Sequence, residues 1–237
     1  IKSEGAYADA AGSKISVAGG AEGGDGGFVE VSAPHMPAIR SELDGRATAG
    51  YRGGQLLIDP QDIVIGYSGG SLGSGTVGAG DPPASGTLNL DVDSSFLGFS
   101  QITLQATRDI TLSSGVTWDL IASTGLSEPG SLLKLEAGRN ITLSSGASVL
   151  AGENWSVTLQ AGRNFSLADT VIAGTGNIVF SGNASLQALN GDINLLAGNN
   201  ITVGSGHVRT IDGGNINATA LGGTINTGTK ANGFTFS

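Results

Sequence analysis

Apolar and polar residues alternate along this chain in short runs, and the runs recur. LEAGRNITLSSG (135–146) holds two such runs joined by a small polar turn. Close copies stand at LQATRDITLSSG (104–115), LQAGRNFSLAD (159–169) and LLAGNNITVGSG (195–206). Strict alternation is the mark of a strand with one buried face. It turns Leu133, Leu135, Ala137, Ile141 and Leu143 inward, and Lys134, Glu136, Thr142 and Ser144 outward. The same reading turns Ile102, Leu104, Ala106, Ile110 and Leu112 inward, then Val157, Leu159, Ala161, Phe165 and Leu167, then Leu195, Ala197, Ile201 and Val203.

The alanines that close the first run are Ala106, Ala137, Ala161 and Ala197, spaced by 31, 24 and 36 residues. A period in the twenties with two or three short strands per period predicts a parallel β-helix. The 24-residue step is the basic unit. The longer steps carry an excursion at 118–130 and a partial copy, LQALNGDINL, at 186–195. The regular repeat region spans 101–229. At about 22 residues per coil, stacked about 4.8 Å apart, the chain would make roughly ten coils.

The turn inside each copy is then a bend between sheets. Gly138 and Gly162 allow positive φ or close approach of neighbouring coils. Asn140, Asn164 and Asn200 are expected to bond the backbone of the bend or to adopt the left-handed conformation. Arg108, Arg139 and Arg163 would lie one above another, with their heads turned to solvent or toward Glu136 and Asp109.

Upstream the pattern is less regular. FVEV (28–31), QLLID (55–59) and DIVI (62–65) read as strands, with a turn at Asp59-Pro60. Residues 66–87 are rich in Gly and Ser and predict a loop excursion, after which LNLDVDSSFLGFS (88–100) regains apolar character. The best helix candidate is SELDGRATA (41–49), broken by Gly45. The expected architecture is all-β, one β-helix over 1–237 with excursions at 66–87 and 118–130. The chain reads as a segment of a longer protein, because it starts and stops in mid-pattern. IKSEGAYADA lacks the basic head and apolar stretch of a signal peptide.

Composition narrows the function classes. Gly is 41 of 237 residues without a three-residue period, and only 13% of residues are charged, so neither collagen nor a disordered chain fits. There is no Cys, hence no disulfide and no thiolate metal site. The net charge of −9 repels a nucleic-acid backbone. No apolar run is long enough for a membrane-spanning helix.

Candidate chemistry is sparse. Asp91 and Asp93 share one strand face and form the best carboxylate pair for sugar hydrolysis, which needs acids roughly 5–9.5 Å apart. No Arg, His or aromatic cluster stands near them, so an exposed strand face is the better reading. Trp118 and Trp155 could flank a carbohydrate platform; packing at an inserted loop and at the end of a coil is the plainer role. His35 and His207 lack ligand-spaced partners. GGAEGGDGG (19–27) holds one imperfect copy of a calcium nonapeptide with Glu22 and Asp25, whereas calcium takes about six to eight oxygens. An outer turn is the simpler reading. Six glycosylation sequons occur, at Asn140, Asn154, Asn164, Asn183, Asn200 and Asn217. A composition rich in Asn, Ser and Thr produces such triplets by chance, and NIT and NFS are also what a turn followed by an alternating strand produces. Modification is the alternative reading. No catalytic, cofactor-binding or metal-ligating residue is assigned, and a non-enzymatic role is expected.

GGFVEVSAP followed by DGRATAGYRGGQLLIDPQDIVI (44–65) resembles the large two-partner-secreted exoproteins of the filamentous haemagglutinin family. The matching residues are Gly27, Val29, Val31, Ser32, Gly45, Gly50, Gly54, Leu56, Leu57, Asp59, Pro60, Ile63 and Ile65, and the repeats over 101–203 resemble that family's β-helical stem. The resemblance implies a right-handed parallel β-helix on the surface of, or outside, a Gram-negative bacterium. It implies export through an outer-membrane secretion partner. Family roles include adhesion, biofilm cohesion, haem-carrier binding and toxin display. The expected partners are host or bacterial surface glycans or proteins. The alternatives are a fibre or surface-layer subunit that stacks end to end, and a carbohydrate-binding or carbohydrate-cleaving β-helix.

Overall fold

The computed structural model describes residues 1–67, 86–167 and 170–229. The chain begins with β1 (Lys14–Ser16), β2 (Phe28–Ser32) and β3 (Glu42–Asp44). β1 and β3 pair in parallel, Ile15 opposite Leu43. Residues 41–49, the best helix candidate, thus contain a strand. The edge of β1 supplies backbone partners, and Gly45 lies so close to Phe99 that a Cβ would sit 2.5 Å from its ring. Tertiary pairing overrides local propensity here.

β4 (Gly54–Asp59) and β5 (Asp62–Gly66) follow, split by Pro60 as the sequence predicts. Most of the excursion expected at 66–87 falls on 68–85, outside the described residues. The chain then steps back. β6 (Thr87–Asp91) pairs in parallel with β5, while β5 pairs on its other edge with β8 (Ile110–Leu112). β6 therefore fills the layer of β2, and β7 (Phe99–Ala106) moves forward past β4.

From β7 onward the rungs are regular. β7, β8 and β9 (Thr117–Asp119) make one rung, which ends in the short helix α1 (Leu120–Thr124). The excursion expected at 118–130 is thus partly a strand and partly a helix. Asp119 caps the helix by accepting from Ile121 N and Ala122 N, both at 3.0 Å, and Gly125 ends it at φ 74°. β10 (Ser131–Ala137), β11 (Ile141–Leu143) and β12 (Ser148–Ala151) make the next rung.

The following rung is interrupted. β13 (Trp155–Ala161) is followed by a hairpin of β14 (Arg163–Asn164) and β15 (Thr170–Val171), the one antiparallel strand pair among the described residues. Only then come β16 (Ile178–Phe180) and β17 (Ser185–Ala188). Phe165 and Leu167 were expected to point inward; instead Phe165 is half-buried and Leu167 is 58% exposed. Ile178 and Phe180 take the inward places opposite Ile141 and Leu143. β18 (Ile193–Ala197), β19 (Ile201–Val203) and β20 (Val208–Thr210) form another rung, and β21 (Ile216–Ala220) with β22 (Ile225–Asn226) the last. The partial copy LQALNGDINL spans β17 and β18, a different corner from that of the full copies.

Besides the β1–β3 pair, three larger parallel sheets result. The first runs β2-β4-β7-β10-β13-β18-β21, the second β6-β5-β8-β11-β16-β19-β22, and the third β9-β12-β17-β20. This is a β-solenoid-like stack. The two long sheets hold seven strands each among the described residues. The alanine spacing sets the register: Ala106, Ala137, Ala161, Ala197 and Ala220 are successive partners. Inward Leu, Ile and Val side chains form one continuous core, each contributing about 1.5–3 kcal/mol relative to exposure. Trp118 and Trp155 are fully buried within it.

The two ends differ. Residues 1–7 lie along the first layer, with Ser3 N donating to Ser32 O (2.9 Å) and Tyr7 N to His35 O (3.0 Å). Met36, Ile39 and Phe96 are fully buried near that end. On the last rung Ile216 and Ile225 occupy inward register yet are 45% and 44% exposed.

Candidate functional site

The repeated feature of the sequence is the bend between first and second sheets. A polar side chain stands at the start of six of the seven second-sheet strands: Asp62, Asp109, Asn140, Asn177, Asn200 and Thr224. Each of the first five accepts from the backbone N–H of the next. Asp62 Oδ1 accepts from Asp109 N (3.1 Å) and Asp109 Oδ1 from Asn140 N (3.0 Å). Asn140 Oδ1 accepts from Asn177 N (3.0 Å) and Asn177 Oδ1 from Asn200 N (3.2 Å). Asn200 Oδ1 accepts from Thr224 N (2.9 Å). The side-chain amides of Asn140, Asn177 and Asn200 donate to the same oxygens at 3.2, 2.9 and 3.1 Å. Backbone bonds also cross the bend from rung to rung, Arg139 N to Arg108 O (2.7 Å) and Ile110 N to Asn140 O (3.0 Å), and the column supplies acceptors for the N–H groups of its own residues.

Two of the three asparagines expected in this role, Asn140 and Asn200, are in the column. Asn164 is not. It sits in the hairpin, where its Oδ1 accepts from Ser166 N (2.9 Å), and Asn177 replaces it. Asn140 and Asn200 donate their amides within the column, so these two sequons are occupied by structure.

The arginines are not a bare column of cations. Each is paired with an acid one rung back: Arg108 with Asp62 (3.1 Å), Arg139 with Asp109, and Arg163 with Glu136 (3.0 Å). Arg108 and Arg139 remain about half exposed, whereas the Arg163 side chain is only 9% exposed. Glu136 faces outward from its strand, as the alternation predicts, yet it is fully buried. Lys134 Nζ approaches it to 2.7 Å, and Gln105 Nε2 donates to it at 2.6 Å. The alanine spacing already places Gln105 and Gln160 beside Glu136; what burial it would suffer depends on the hairpin, which the repeat pattern does not announce.

The hairpin also walls a cleft of about 420 Å³ against the bend. Its floor includes Thr107, Gly138 and Gly162, and its wall Arg163, Phe165 and Ile172. The guanidinium of Arg163 lies 5.7 Å from the centre of the Phe165 ring. Gly138 is required by close approach, since a Cβ there would fall 2.1 Å from Thr107 O.

A second polar cluster ties down the N-terminal layer. Asp9 accepts from Ser41 Oγ (2.5 Å), Ser41 N (2.7 Å), Arg40 N (2.9 Å) and Tyr7 Oη (2.9 Å). Burial pushes the Asp9 carboxyl up, but the donors from Ser41, Arg40 and Tyr7 outweigh it and hold it below the usual range. Burial and then Asp9 push the Tyr7 phenol up to about 12. Ser41 and Arg40 also line a cleft of about 300 Å³ with Ser13 and Ser94. The Ser41 hydroxyl is engaged by Asp9, which makes it an anchor and not an activated nucleophile.

The remaining sequence candidates fall apart in space. Asp91 Oδ1 accepts from Asp93 N (2.8 Å), so the two acids belong to a turn closing β6 and not to one strand face. The Trp118 and Trp155 rings lie inside the stack and offer no platform; Trp155 Nε1 donates to Leu126 O (2.8 Å). His35 is exposed beside Met36, while His207 lies on the rung that ends in β20. Asp25 Oδ1 accepts from Arg52 N (2.8 Å), and Glu22 is exposed. Among the described residues no group of three or more His, Asp or Glu side chains is placed to hold a metal ion. No described helix is long and apolar enough to cross a membrane. No protein-family model, curated protein or solved structure matches the chain.

Proposed function

We propose that the chain is a rigid stem segment of a secreted bacterial exoprotein of the filamentous-haemagglutinin type, wound right-handed and acting without enzymatic activity in surface attachment or matrix cohesion. The observation that carries this reading is the column from Asp62 to Thr224, which ties six successive second-sheet strands at one corner. Its cross-rung bonds, with the continuous core, resist bending and local opening. The residues that resemble the family also occupy coherent places: Val29 and Val31 lie in β2, Leu56 and Leu57 in β4, Ile63 and Ile65 in β5. A Gram-negative surface location and an outer-membrane secretion partner follow from the same resemblance.

The second reading, a fibre stacked end to end, draws support from the exposed Ile216 and Ile225 of the last rung. Among the described residues the best carboxylate pair, Asp91 and Asp93, lies in a turn, which gives a carbohydrate-cleaving role no support.

Antibodies raised against the purified chain test the stem reading. They should label intact cells of the source bacterium, and brief surface proteolysis should remove the label. Labelling confined to lysed cells would sink it.

A further inference from the structure

We propose that the cleft between the bend and the hairpin is a saccharide-binding subsite that seats one sugar ring against Phe165. The inference rests on the stem reading for its biological setting, but its physical argument is separate. The repeat is broken at one rung by β14 and β15, and that insertion turns a flat outer corner into a concavity. A volume of about 420 Å³ lies within the range of small-ligand sites, about 300–1,000 Å³.

The lining has the mixed character that a sugar needs. Phe165 and Ile172 offer apolar surface to the C–H face of a ring, and Asn164, Ser166, Thr107 and Thr175 bring amide and hydroxyl groups to the same cleft. The wall is held in place before any ligand arrives. Arg163 packs over Phe165 and is fixed from behind by the buried Glu136, itself held by Lys134 and Gln105. A stem alone needs no such arrangement: a buried ion pair contributes little net stability against apolar residues of the same size. It does preorganise an aromatic wall, which lowers the ordering cost of binding.

Ligand-observed NMR and titration calorimetry on the full purified chain test the proposal, using neutral and uronate-containing oligosaccharides as probes. At least one class should bind, and Phe165→Ala should weaken it by about tenfold or more, the loss of one central aromatic contact. Phe165→Tyr, which keeps the ring, should bind like the parent. Phe165 is half-buried on an excursion, so Phe165→Ala should leave the circular dichroism and the melting temperature unchanged. No binding by the parent chain overturns the proposal, as does binding that Phe165→Ala leaves intact. Neither result touches the cell-surface labelling that tests the stem reading.

Discussion

Asn140 and Asn177 meet across 37 residues of sequence: one side-chain oxygen, Asn140 Oδ1, accepts both the backbone N–H and the side-chain amide of Asn177. Removing that acceptor leaves a bend donor without its partner. Asn140→Ala should therefore cost about 1–3 kcal/mol of unfolding free energy. Asn164→Ala, in the hairpin, should cost roughly 0.5 kcal/mol, the scale of a surface substitution. Urea unfolding of the two variants decides it, and equal losses would mean that the column contributes nothing special.

A second contrast concerns Arg163 and Glu136. Arg163→Met leaves a buried carboxylate with Lys134 as its remaining cation, and should cost about 3 kcal/mol. The double variant Glu136→Met with Arg163→Met should recover most of that loss, because no charge is then left buried. A double-mutant cycle in guanidinium chloride measures the coupling. Additive losses would argue against the pair acting as a unit.

The stack was legible because burial and alternation are local. Leu133, Leu135, Ile141 and Leu143 show their faces within a dozen residues, and the alanine spacing fixed which rung meets which. Phe165 shows where that logic stops. FSL alternates as well as ITL does, and nothing in those three letters says that the chain will leave the sheet and return at Ile178. IVF, after the hairpin, takes the places opposite Ile141 and Leu143 that FSL would have filled. Glu136 was assigned the right face and the wrong environment, since its cover comes from residues on other rungs. The bend column was half legible: Asn140 and Asn200 stand in the repeated phrase, while Asn177 belongs to no copy of it.

Stability should depend on pH at both extremes, through the first layers. Asp44 is held well below the usual carboxylate range by the hydrogen bonds from Arg46, with burial opposing and Lys14 adding to the effect. Its contribution is therefore full above the unfolded value of about 4 and is lost as pH falls below it. Tyr7 is shifted the other way, up to about 12, so its contribution is present below about 10 and fades as pH rises through the interval between. Asp44→Asn should flatten the acid limb of a stability profile and Tyr7→Phe the alkaline limb. Parallel profiles for parent and variants would show that these groups do not set the limits.

The open last rung makes a graded prediction along one ladder. Ile193 and Ile216 are register partners, but Ile193 is fully buried between two rungs whereas Ile216 is 45% exposed. Ile193→Ala should cost about 2–5 kcal/mol, the range for a buried aliphatic truncation. Ile216→Ala removes half-solvated surface and leaves no closed cavity, so it should cost roughly 1 kcal/mol or less. Amide exchange should follow the same order. Protection should be highest in β10 and β13, which have neighbours on both edges, and lowest in β21 and β22. A flat protection profile, or equal costs for the two isoleucines, would mean that the last rung is covered in solution.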